Sequence, residues 1–203
     1  FRYYDLAIAE GITTAGQLSI RWIENKINQY LNKLLKTNKD YVIASDTGSI
    51  YVTFDKLVEQ VNPNNPIDFL DTIAKEKIEP FIDKSYKQLA EYTHAYDQKM
   101  QMKREVIADK GIWTAKKRYI LNAWDVEGVR YQEPQLKIMG IEAVKSSTPA
   151  PCRQKIKEAL KIIMSGSEKE LNDFLIAFRK EFDSLPPEEI AYPRSVNGVR
   201  KFY

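Results

Sequence analysis

Apolar residues recur at helical spacing through the first part of the chain: Ile20, Ile23, Ile27, Tyr30 or Leu31, and Leu34, with Arg21, Glu24, Lys26 and Lys33 mostly between them. A stripe that returns every three to four residues predicts a long amphipathic helix over 7–36, broken at Thr37-Asn38-Lys39-Asp40. The period then shortens. β-Branched and aromatic residues on either side of Asp46-Thr47-Gly48-Ser49 predict a hairpin over 41–54 with a two-residue turn. Asn62-Pro63-Asn64-Asn65-Pro66 is a loop. Phe69, Ile73, Phe81, Ile82, Tyr86 and Leu89 mark one side of a second helix over 67–92, in which Pro80 should mark a kink or a boundary. Strands are predicted at 103–108 and 116–124, joined near Lys110-Gly111, and a turn at 125–128 leads to a third at 129–131, completing a meander. Ser146 to Pro151 form a linker. Two helices follow at 151–165 and 167–183, with Ile156, Leu160 and Ile163 on one face of the first and Leu171, Phe174, Leu175, Phe178 and Phe182 on one face of the second. Pro186-Pro187 ends the pair.

This order predicts an α+β fold: an antiparallel sheet with packed helices over 1–147, then a small helical unit over 148–203. The chain has 203 residues, 43% of them apolar and 29% charged, so it can bury a core and does not read as disordered. Its net charge of +3 says little about partners. Local charge says more, because between Lys99 and Arg118 seven basic residues face two acids. One cysteine, Cys152, and one histidine, His94, exclude an internal disulfide and a Cys/His zinc site, and fit a reducing, cytoplasmic setting. No apolar run approaches the ~20 residues of a membrane span. The opening Phe1-Arg2-Tyr3-Tyr4, without Met and without a signal peptide, reads as part of a longer polypeptide.

Two segments carry candidate chemistry. A carboxylate at a hairpin tip is held rigidly and projects off the sheet, where it can meet a metal or phosphate. Asp46 is such a group, but Asp-Thr-Gly-Ser is equally an ordinary turn with Gly supplying a positive φ. A pair of aspartates at i and i+2 would present both to one side, and here the i+2 residue is Gly48. The second segment is Trp113-Thr114-Ala115-Lys116-Lys117-Arg118-Tyr119. Read as a strand, it places 117 and 119 on one face and 116 and 118 on the other, a basic edge that can track a phosphate backbone, with Tyr119 against a sugar or base. It is also readable as a solvated basic strand. Lys145, Arg153, Lys155, Lys157 and Lys161 have the same two readings. His94 at a helix end and Cys152 at a helix start read as structural residues.

Taken in order, several blocks resemble family B DNA polymerases of the tailed-phage replicative type. Phe1-Arg2-Tyr3-Tyr4-Asp5 is similar to the segment after the fingers motif, and Gly11-Ile12-Thr13-Thr14-Ala15-Gly16-Gln17 to the start of the palm helix. Asp46-Thr47-Gly48-Ser49-Ile50-Tyr51 stands at the catalytic hairpin. Lys103-Arg104-Glu105 resembles a palm strand ending in a carboxylate, and Lys116-Lys117-Arg118-Tyr119 the motif that contacts primer–template. Leu136 to Glu142, with Lys145-Ser146-Ser147-Thr148-Pro149, resembles the palm–thumb junction. Ile190-Ala191-Tyr192-Pro193-Arg194 is similar to a thumb segment.

The resemblance implies a C-terminal palm portion over 1–147 and a partial thumb over 148–203. It implies template-directed nucleotidyl transfer in DNA replication, with two Mg²⁺, dNTP and primer–template DNA as ligands and a sliding clamp as partner of the full protein, in the host cytoplasm. Asp46 would be a catalytic, metal-proximal carboxylate and Glu105 an auxiliary one. Lys116, Lys117, Arg118 and Tyr119 would bind DNA, with Lys137 and Lys145 beside them. Gly48 stands where the family has its second Asp, Ser45 and Ala44 replace the usual Gly and Tyr, and the family's other catalytic motifs belong upstream of Phe1. The isolated chain is therefore expected to bind primer–template without extending it. The alternative is a non-catalytic duplex-binding module, a split or degenerate copy of such an enzyme.

Overall fold

A computed structural model describes residues 5–195, 197, 198 and 200. The block Phe1 to Tyr4 lies outside the described residues, whereas Asp5 caps the first helix, its carboxylate accepting from the N–H of Ala7 at 2.8 Å and of Ile8 at 3.3 Å. The fold is mixed α and β, as the period changes predict. It divides into two compact units, 1–107 with 126–128, and 108–125 with 129–203.

The first unit is built on helix α1, Leu6–Leu35. Its buried positions are Ser19, Ile23, Ile27, Leu31 and Leu35, a strict i+4 ridge. The expected stripe is thus corrected at its end: Leu31 rather than Tyr30 is fully buried, and Leu34 is 52% exposed. An i±4 ridge is what one helix lays into the grooves of another, and here it packs with α4, Glu79–Tyr92, whose Ile82, Tyr86 and Leu89 complete the core with Ile78, Leu57, Tyr41 and Val42. Two asparagines one turn apart on α1 fasten the chain as it returns. Asn28 Oδ1 accepts from the N–H groups of Tyr41 and Val42 at 2.7 and 3.0 Å, and the Asn32 amide pairs with both backbone groups of Lys39 at 2.8 Å each.

The hairpin follows as β1, Val42–Asp46, and β2, Ser49–Val52, antiparallel with a bulge at Ile43. A helix α2, Asp55–Val61, comes next and was not anticipated; Leu57 is its one buried residue, too little to show as a period. The expected second helix is continuous but not uniform. α3, Pro66–Ile73, passes through a π-helical turn, Ala74–Ile78, into α4. Of the kink or boundary expected at Pro80, the boundary is what the structure shows: α4 starts at Glu79 with Pro80 in its first turn, where the missing N–H is tolerated, and the π turn immediately precedes it.

In the second unit, β3, Val106–Ala115, β4, Arg118–Val126, and β5, Val129–Met139, form one sheet in the order β3-β4-β5. Two-residue connections make it antiparallel. The strands are longer than expected. β3 runs straight through Lys110-Gly111, where a turn was predicted, because Gly111 makes room for its neighbours: a side chain there would meet Trp113 and Leu121 at under 3 Å. β5 runs through Pro134, which a strand at the sheet's edge tolerates. Beyond a short 3-10 turn, Glu142–Val144, come α5, Ala150–Ser165, α6, Glu168–Ser184, and α7, Pro187–Ile190. Ser167 and Glu170 start α6 with a reciprocal capping box. Ile120, Ile141, Ala143, Leu160 and Met164 form this unit's core. Met164 rather than Ile163 faces inward, since Ile163 is 45% exposed.

Candidate functional site

The seven basic residues of 99–118 divide between the two units and differ in how far they are engaged. Within the first unit, Arg104 lies with its side chain 10% exposed, its Nη2 2.6 Å from Asp71 Oδ1. In the second, Lys110 donates to the Met164 carbonyl at 2.6 Å, where a cation complements the C-terminal end of α5. Lys103, Lys116 and Lys117 keep exposed positions.

Lys116 and Lys117 differ from expectation. They form the turn between β3 and β4 instead of a strand, and Lys117 has φ 60°. A long side chain in the left-handed region gives no sequence signal. At a two-residue tip both lysines project beyond the sheet, which suits contact with a charged backbone better than alternate strand faces would. Tyr119 is 7% exposed, its ring centroid 6.4 Å from that of Trp113. The ring therefore packs within the second unit, beside Trp113.

Arg118 opens β4 and lies between these roles. Its Nη2 is 2.6 Å from both carboxylate oxygens of Glu142. Lys145 Nζ is 3.0 Å from the same carboxylate. The carboxyl of Glu142 is held below the usual carboxylate range, first by the Lys145 hydrogen bond, then by its own backbone N–H and the charge of Arg118, with partial burial opposing them. Gly140 brings this segment close, with φ +67° and so little space that a side chain would collide with the Lys117 carbonyl. Two stretches 24 residues apart in sequence are thus joined. Lys137 lies half-buried on β5. Glu142 and Gly140 carry this arrangement and were not singled out. The signal that could have found Glu142 is its spacing of three from Lys145.

The other candidate is the tip of β1–β2. Asp46 is half-buried and closes β1, paired with Ser49. Thr47 Oγ1 donates to Asp46 Oδ1 at 2.9 Å, and Ser49 Oγ donates to the Asp46 carbonyl at 3.1 Å. The positive φ expected at Gly48 is instead at Thr47, with φ 51°. A β-branched residue rarely takes this conformation. Nothing lies within 4 Å of a Cβ built on Gly48. The glycine is required neither by backbone angle nor by space.

Glu105 precedes β3 in the same unit as Asp46. Its backbone is fixed from both sides: the Arg104 N–H donates to Glu79 Oε1 at 2.9 Å, and the Glu105 carbonyl accepts from Glu127 N–H at 2.6 Å. Asp71 accepts both Arg104 and Lys75, which hold its carboxyl below its ordinary value, the Lys75 hydrogen bond most, against some burial. Asp71 and Glu79, which the sequence did not single out, therefore set where Glu105 starts. Divalent ions bound by carboxylates need several oxygens together. Among the described residues no group of three or more His, Cys, Asp and Glu is placed to hold a metal. Asp46 and Glu105, with glycine at 48, do not amount to a two-metal site by themselves. His94, with φ 51° just beyond α4, and Cys152, partly buried on α5, join no such group.

Over 217 aligned positions the chain is 43% identical to the DNA-directed DNA polymerase of Escherichia phage RB69 and 40% identical to that of Enterobacteria phage T4. Each match takes in 100% of this chain and 24% of the relative, so the chain spans about a quarter of the length of the curated relatives it matches. No family model matches it. No helix among the described residues is long and apolar enough to cross a membrane.

Proposed function

We propose, from the premise that this chain aligns over its whole length with part of two phage DNA-directed DNA polymerases, that it is a palm and thumb portion of a family B enzyme of that kind. The observation that carries the reading is the identity of 40% or more sustained over the full chain. In the complete enzyme, residues 1–147 would serve as palm and 148–203 as thumb, with template-directed nucleotidyl transfer in the host cytoplasm as the reaction. Mg²⁺ in such enzymes stabilises the charge developing on the attacking and leaving oxygens. Asp46 would supply one carboxylate toward it and Glu105 an auxiliary one. The residues of this chain do not complete the site of those metals. dNTP and a sliding clamp are partners of the whole enzyme in this reading.

Primer–template binding is what this chain's own residues can do. Lys116 and Lys117 at the β3–β4 tip, with Arg118, Lys145 and Lys137 beside them, supply donors for phosphate oxygens. Tyr119 supports the turn from below. Gly48 favours one further reading, a duplex-binding module that has lost catalysis: the tip keeps its hairpin and has room for a second Asp, yet lacks it.

Two measurements test this. Fluorescence anisotropy with a primer–template duplex should show binding that weakens as salt rises, with the log–log slope shallower by about one for Lys116→Ala or Lys117→Ala. No binding at low salt would overturn the nucleic-acid reading. Primer extension by the 203-residue chain with Mg²⁺ should be absent; measurable extension would show that the carboxylates present suffice.

A further inference from the structure

We propose that Glu142 is a positioning residue for duplex binding: its carboxylate holds Arg118 and Lys145 at the β3–β4 turn so that both cations meet the nucleic-acid backbone already placed. The inference rests on the reading that this turn binds DNA. Simple charge counting predicts the opposite, since a carboxylate among cations should repel phosphate.

The placement of Glu142 argues against an incidental surface acid. Its neighbours Ile141 and Ala143 are buried at 8% and 1% exposure, so the backbone that carries it is fixed in the core. Gly140, two residues before Glu142, lies against the Lys117 carbonyl and the aliphatic part of Arg118. Arg118 Nε is buried without a hydrogen-bond partner, so the hold on its guanidinium comes from the outer nitrogen, at 2.6 Å from each Glu142 oxygen. Lys145 reaches the same carboxylate from the other end of the 3-10 turn at 3.0 Å. One acid therefore fixes two flexible side chains, each of which keeps further N–H donors for a second acceptor. Arg118 and Lys145 remain 42% and 46% exposed in this pairing, open to such an acceptor. Side chains ordered before association do not lose that freedom on binding.

The test is duplex affinity of the full chain and its Glu142→Ala variant, by anisotropy at ~0.1 M salt. Positioning predicts binding about three- to tenfold weaker in the variant, from the freedom regained by two rotamer-rich side chains, although its net charge is one unit more positive. Tighter or unchanged binding would overturn the proposal while leaving the duplex-binding reading intact. Failure of the unsubstituted chain to bind would overturn both. Circular dichroism melts check that the variant folds; should it not, Glu142→Gln, which keeps one acceptor oxygen, is expected to give an intermediate loss. A purely structural role is separated by the Arg118→Ala/Lys145→Ala background. There Glu142→Ala should no longer weaken binding, and continued weakening would sink the positioning role.

Discussion

Among the described residues three hairpins are closed by two-residue tips, and two of them, β1–β2 and β3–β4, hold the candidate residues. At each of these two tips a non-glycine residue takes a positive φ, Thr47 at 51° and Lys117 at 60°. The β3–β4 tip is braced from below by Tyr119 and Trp113, and by Gly140 and Glu142 from the segment after β5. At the β1–β2 tip Thr47 Oγ1 and Ser49 Oγ donate within the turn, and a Cβ built on Gly48 meets nothing within 4 Å. A strained backbone conformation persists where surroundings over-determine it. By that measure the contacts around Lys117 hold the shape of the basic tip, whereas at the acidic tip neither backbone angle nor space requires the glycine at 48.

Substitutions can break that contrast. The largest effect is expected for Tyr119→Ala, which removes a buried ring under the basic tip and should destabilise the second unit by about 3 kcal/mol or more in chemical denaturation. A loss below ~1 kcal/mol would show that the tip does not depend on this brace. Next is Gly140→Ala. It puts a side chain into a left-handed conformation and against the Lys117 carbonyl, and roughly 2 to 4 kcal/mol should be lost in the same experiment. Acid supplies a gentler probe. Since the Glu142 carboxyl lies below its ordinary 4.5 when folded, its pairing stabilises fully above that value, and the contribution disappears as pH falls through the lowered folded value. NMR titration of the Glu142 carboxyl should therefore show a midpoint below 4.5. The smallest change is expected at the other tip: Gly48→Asp should alter stability by no more than about 0.5 kcal/mol, because neither backbone angle nor space resists it.

The same contrast explains what could be read in advance. α1 was legible to within a residue at either end, because a 30-residue amphipathic stripe averages out local exceptions. The hairpin tip and the α6 start were legible from turn and capping residues. The π turn and the tip at Lys116-Lys117 were not. The first depends on how a helix accommodates Pro80, and the second on glycines whose purpose is space: Gly111 reads as a turn but lets a strand pass Trp113 and Leu121. For the site, ordered motifs marked the basic residues, but only the fold showed which are engaged. Arg104 and Lys110 are committed within their own units, Tyr119 turns inward, and Glu142 gathers Arg118 and Lys145.

Pro134 has a consequence outside both tips. It lies in the middle of β5, an outer strand of the three-stranded sheet. An outer strand offers its unused backbone groups to any extended chain that drifts alongside, and a second copy of the same strand is the nearest candidate in a concentrated solution. A residue with no N–H leaves a missing rung in that ladder. The sheet thus has a built-in stop against growing by one more strand, and the substitution Pro134→Val would remove it.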